Sequence, residues 1–152
     1  MNRNGEAEAA RLDLVLNAIE EACESSQYVR FCEAFMPDCS ALIQQQMPEA
    51  ASTALQIAMG YRAGTVSRQS VSDIHAVCWD SLRTGHREMQ LDDPNVAAIR
   101  AAICILHYQL HPESEEFVNL PSFFLRLLNT IEPHFREQEQ LTRKHFADCL
   151  PL

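Results

Sequence analysis

The stretch Asp93–Leu110, DPNVAAIRAAICILHYQL, decides the fold of this chain. Asp93 is a residue type that caps helices, and Pro94 is favoured at the first helical position, so the pair predicts a helix start. The residues that follow are apolar with few exceptions and leave little polar face. A helix that is apolar almost all round has to be covered on several sides. We therefore predict a central helix at about Pro94–Leu110, with the rest of the chain packed around it.

Helical patterns continue on both sides of this stretch. We predict further helices at about Glu6–Glu24, from Gln27 to a stop or kink at Met36, and at Pro48–Arg62, Arg68–Gly85, Pro121–Ile131 and His134–Asp148. The run Asp38–Gln46 is either a continuation of the second helix or a separate short helix. The chain has only four Gly in 152 residues and is rich in Ala, Leu, Gln and Glu, which argues against a β-sandwich or barrel. The predicted fold class is all-α, a compact bundle of six to seven helices around one hydrophobic central helix, in a single domain over residues 1–152.

The charge balance indicates which classes of molecule the protein can bind. The 21 acidic and 12 basic residues give a formal net charge of −9. A surface this acidic repels phosphate backbones and attracts basic proteins, so we predict no binding to nucleic acid. No apolar run reaches the length of a membrane span, and no apolar signal core follows the first residues. We therefore expect a cytoplasmic protein that does not bind membranes.

The cysteines and histidines offer one candidate metal site. The six cysteines are widely spaced without a C-x-x-C pair, which favours buried thiols over a disulfide framework. Cys104, His107 and His111 share one side of the central helix, and thiolate and imidazole suit zinc. However, the metalloprotease pattern H-E-x-x-H requires a Glu directly after the first His, and Tyr108 stands there. We predict no metal and no cofactor, and keep a small helical metal-dependent hydrolase as an alternative.

No other grouping predicts catalysis. His75 and Cys78 lie one helical turn apart, as a nucleophile and its base would, but the sequence shows no third orienting group and no oxyanion hole. It contains no Gly-rich phosphate loop and no G-x-S-x-G. We therefore predict that the protein is not an enzyme.

Two acidic clusters are the remaining feature. One closes the first helix, and the other occupies a loop before Pro121; they consist of Glu20, Glu21 and Glu24, and of Glu113, Glu115 and Glu116. If Gln27–Gln46 counts as one kinked helix, an up-and-down packing brings both clusters to the same end of the bundle. Such a face would suit a basic protein cleft and speed association with it. The alternative is a solvated acidic surface that only aids solubility.

The sequence also resembles a known class of proteins. The resemblance is carried by Phe31–Pro37 (FCEAFMP), by Ala50–Gly64 (AASTALQIAMGYRAG), and by the helix that starts at Ser67 and carries Trp79. These features are similar to those of helical immunity proteins of bacterial polymorphic toxin systems. The similarity spans about Tyr28 to Leu110, roughly half of the chain, and its motifs are mostly core and cap positions.

The resemblance implies a small cytosolic protein that binds a cognate antibacterial toxin domain and neutralises it by occluding its active site. The acidic composition agrees with this, because toxins that act on nucleic acids or nucleotides have basic clefts. We take the six glutamates of the two acidic clusters as the predicted toxin-facing set. A metabolic adaptor domain is a further alternative, and the sequence leaves the oligomeric state open.

Overall fold

The computed structural model describes residues 3–22, 31–111 and 120–149, which are helical and contain no β-strand. The α-helices of these ranges are α1 (Arg3–Ala22), α2 (Met36–Ala41), α3 (Glu49–Arg62), α4 (Arg68–Arg83), α5 (Pro94–Leu110), α6 (Leu120–Ile131) and α7 (Phe135–His145). A π-helical turn, Phe31–Phe35, leads directly into α2, and short 3-10 turns follow at Gln44–Gln46 and Ala147–Cys149. The predicted all-α fold class is confirmed.

The helix α5 lies at the centre of the bundle, as its composition predicts. Eleven of its 17 residues are buried. It packs against α3, α4 and α6, while α1 packs along α7 and also contacts α6. The short helix α2 fills the space between α6 and α7. No helix in the described ranges combines the length and the apolar composition needed to cross a membrane.

The helix ends follow local sequence chemistry. Oδ1 of Asp93 accepts the backbone N–H groups of Asn95 at 2.8 Å and Val96 at 3.3 Å, so this carboxylate caps α5. The Ser67 hydroxyl accepts a backbone N–H one turn further on and caps α4 in the same way. Gly64, just beyond α3, has a φ of 81°, a conformation that favours glycine.

A separate short helix begins at Met36, where the sequence predicts a stop or a kink. A π-helical turn ends at Phe35 and α2 begins at Met36, so the proline lies in a first turn, where its missing N–H is not needed. The helix then ends at Ala41 instead of Gln46, because the backbone of Ile43 leaves the helical region with φ −127° and ψ 15°. Residues 27–30 of the predicted segment lie outside the described ranges. The other predicted helix ends within the described ranges agree to within a few residues, and the predicted end of the first helix at Glu24 lies outside them.

Arg100 shows how an apolar central helix accommodates a charge. Its guanidinium lies 5.1 Å from the ring centroid of Trp79 and 5.8 Å from that of Phe123. Its Nη1 donates a hydrogen bond of 2.6 Å to the backbone carbonyl of Glu88. Arg83 stacks on the same indole at 5.4 Å. The cation–π contacts join α4 and α6 to the central helix, and the hydrogen bond ties the α4–α5 loop to it.

Candidate partner-binding groove

The structure describes two of the six glutamates predicted to face a toxin. Glu21 is exposed near the end of α1. Glu20 is half-buried, and its Oε1 accepts a hydrogen bond of 3.1 Å from the Ser122 hydroxyl in the first turn of α6. The remaining four, Glu24, Glu113, Glu115 and Glu116, lie outside the described residues. The predicted meeting of the two clusters therefore stays a prediction.

The metal-ligand set considered from spacing does not assemble. Burial raises the pKa of the Cys104 thiol to about 12. Within the described ranges, no three His, Cys, Asp or Glu side chains are placed to share a metal ion. The hydrolase alternative built on Cys104, His107 and His111 consequently rests on their spacing alone.

A third histidine joins His107 and His111 from a different helix. The ring centroid of His75, on α4, lies 5.9 Å from that of His107, and the His107 and His111 centroids are 5.0 Å apart. Partial burial lowers the pKa of His75, and the two neighbouring imidazoles and Arg83 lower it further. These ring contacts join α4 to α5.

Cys78, the partner considered for His75 in a nucleophile–base pair, is fully buried. Its burial raises the thiol pKa to about 11. A protonated thiol in the core is a small hydrophobe and does not act as a nucleophile. The arrangement supports core packing at this position.

A groove lies where α2, α3 and α5 meet, and we call it the α2–α3 groove. Its volume is about 390 Å³. Leu55, Ala58 and Ile105 form a buried apolar floor. Ala41 and Met59 form exposed parts of its rim, and the Met59 side chain is 55 % exposed. This volume and this lining are typical of ligand sites and anchor pockets.

Carboxylates outnumber cations among the charged groups that line the α2–α3 groove. Glu33 and Asp38 contribute carboxylates on the α2 side, and Arg62 contributes one cation on the α3 side. At the floor, Nε2 of Gln109 donates a hydrogen bond of 2.9 Å to the backbone carbonyl of Ala58. Oε1 of the same amide is buried and has no hydrogen-bond partner among the described residues. The groove therefore has a buried amide at its floor and an excess of carboxylates at its rim.

Asp38 also marks the boundary of a second depression on the other side of α2. This more open depression, of about 530 Å³, is lined by Asp38, Leu42 and residues of α7, including Glu137. Oδ2 of Asp38 lies 2.7 Å from Nε2 of His145, whose ring also contacts the edge of the Phe35 ring at a centroid distance of 6.0 Å. These contacts connect α7 to α2 and hold the Asp38 carboxylate in place between the two depressions.

This groove is not evident from the sequence. Its lining comes from three segments separated by long stretches of chain, and alanines at positions 41, 58 and 63 leave the space that larger side chains would fill. Only the isolated charges Glu33 and Asp38, in a segment expected to be mostly core, hinted at an exposed face there. Comparisons with protein-family models, with curated proteins and with solved structures found no match for this chain.

Proposed function

We propose that the protein is an immunity protein, which binds a cognate antibacterial toxin domain with a basic active-site cleft and occludes that cleft. The observation that carries the proposal is the excess of 21 acidic over 12 basic residues. A net charge of −9 on so small a helical protein produces a long-range field that attracts a basic surface. Inhibition by occlusion requires tight binding and no turnover, so it needs no catalytic group in this chain.

The exposed carboxylates of α1 support a steering role. Glu6, Asp13 and Glu21 are exposed on this helix, and Glu20 lies beside the start of α6. Charges at the edge of an interface mainly raise the association rate and make it dependent on salt. Affinity comes instead from a few apolar or aromatic anchors seated in desolvated pockets. The α2–α3 groove, with exposed Met59 on its rim, is suited to such an anchor.

The first experiment is capture of a partner with the tagged protein from a lysate of the producing cell, followed by mass spectrometry. The expected result is a stoichiometric basic protein that high salt releases. The captured protein is then expressed alone in a host that lacks this chain. The proposal requires that it inhibit growth and that co-expression of this chain restore growth. A partner that is harmless when expressed alone would contradict the proposal.

A charge reversal tests the predicted toxin-facing set with the purified pair. Glu21→Lys should slow association and weaken its salt dependence, because it removes a steering charge and adds a repulsive one. The matched control is Asp80→Lys, the same change of charge at an exposed position on α4. Stopped-flow association rates and thermal unfolding are measured for both variants. A lower melting temperature with an unchanged association rate would show that Glu21 is not part of the contact face.

A further inference from the structure

The α2–α3 groove has the chemistry of a site for a cationic side chain with an apolar stem. Its floor of Leu55, Ala58 and Ile105 is apolar and buried, so it can cover methylene groups. Its rim carries the Glu33 and Asp38 carboxylates against the single guanidinium of Arg62. These three groups together leave one negative charge in excess.

The hydrogen bond to Ala58 fixes the orientation of the Gln109 amide at the groove floor. Its Nε2 has to face the Ala58 carbonyl, because only the NH₂ end of the amide can donate to it. The other end is therefore the acceptor Oε1, which is buried and has no partner within the described ranges. Protein atoms enclose this oxygen, so it is not exposed at the surface of the groove.

We propose that the α2–α3 groove is a recognition site for an arginine side chain of the protein partner. The methylene stem lies on the apolar floor, and the guanidinium donates to the Glu33 carboxylate on the rim. Arginine fits better than lysine because its planar head presents several donors in fixed directions. Asp38 is already paired with His145 and contributes charge to the rim more than a direct hydrogen bond. The identity of the partner rests on the proposed function, whereas recognition of the cation does not.

A small probe tests the site without the partner. The probe is N-acetyl-arginine methylamide, and backbone amide shifts of the isotope-labelled protein are followed by NMR. We expect saturable shifts at Ala41, Ala58 and Gln109 with a dissociation constant of about a millimolar, as suits so small a ligand. The control probe is N-acetyl-citrulline methylamide, which has nearly the same shape and no charge. It should bind at least severalfold more weakly.

Two pairs of variants locate the site. Ala41→Trp fills the groove from its exposed rim and should abolish the shifts, while Ala76→Trp at an exposed position on α4 should leave them unchanged. Glu33→Gln removes a rim charge and should weaken arginine binding severalfold, while Asp80→Asn removes the same charge at an exposed position on α4 and should not. Equal affinity for the arginine and citrulline probes would overturn the proposal, and so would retained arginine binding in Ala41→Trp.

The outcomes of this test and of the partner capture are separable. If the arginine probe binds in the groove and the captured partner is not a toxin, the site stands and the immunity function fails. If a toxin is captured and Ala41→Trp neutralises it with unchanged affinity, the function stands and the assignment of the groove as its docking site fails.

Discussion

Truncation of a leucine on α5 tests the central place of this helix most directly. Leu106 is fully buried, and α5 is covered by α3, α4 and α6. Because neighbours on several sides hold their positions, the space left by Leu106→Ala can close only in part. Leucine-to-alanine changes at such positions cost about 2–5 kcal/mol of unfolding free energy. We expect about 3 kcal/mol here, which corresponds to a fall in melting temperature of about 6–12 °C for a chain of this size.

The matched control is Leu14→Ala on α1, where the leucine side chain is 70 % exposed. It makes the same chemical change while removing little buried surface, so its cost should stay below about 0.5 kcal/mol. Thermal unfolding followed by circular dichroism compares the two variants, and urea titration gives the corresponding free energies. If the melting temperatures of the two variants fall by the same amount, or if Leu106→Ala lowers it by less than about 2 °C, the central position of α5 is refuted.

Three further predictions concern single features of the fold. The folded-state pKa of His75 is lowered from 6.5, so the unfolded chain takes up this proton first as the pH falls. The stability present above pH 6.5 is therefore lost below it. His75→Asn should flatten the pH dependence of the urea-unfolding free energy measured between about pH 7.5 and pH 5. Gly64→Ala should cost about 1 kcal/mol of unfolding free energy because φ is 81° there. Gly85→Ala should cost less, because φ is not positive at that position. A larger loss of unfolding free energy at Gly85 would contradict this. The thiols of Cys39 and Cys78 are buried and have raised pKa values. They should resist iodoacetamide at neutral pH until urea unfolds the chain, which peptide mass spectrometry would show. Rapid labelling of the native protein would refute their burial.

Local signals allowed the helices and their ends to be predicted. The caps at Ser67 and Asp93 and the glycine at position 64 act within a few residues of chain, so their sequence context contains the whole argument. The burial of α5 was also predictable, because its composition leaves no polar face for solvent. The early end of α2 was not, since nothing around Ile43 distinguishes a last helical turn from a 3-10 turn in sequence alone.

The site depends on long-range geometry, which explains why sequence reasoning selected different residues. The histidine cluster illustrates this: His107 and His111 are one turn apart on α5 and their proximity is evident from spacing, but His75 joins them only because α4 packs on α5. The same holds for Gln109, which appears in sequence as one polar residue at the end of an apolar helix. Its role in the groove follows from the position of the Ala58 carbonyl on α3.

The exposed acids of α1 and the α2–α3 groove have different physical parts in the proposed interaction. An exposed carboxylate such as Glu21 acts across solvent, where an ionic strength of about 0.15 M screens its field beyond about 8 Å. It therefore changes the association rate and has little effect on the dissociation rate of a complex already formed. Groups in the groove act at contact distance on desolvated atoms, so a side chain seated against Ile105 and Gln109 slows dissociation. For this reason the acidic composition could indicate a basic class of partner from sequence alone, while the place where the partner is held had to come from the packing of α2, α3 and α5.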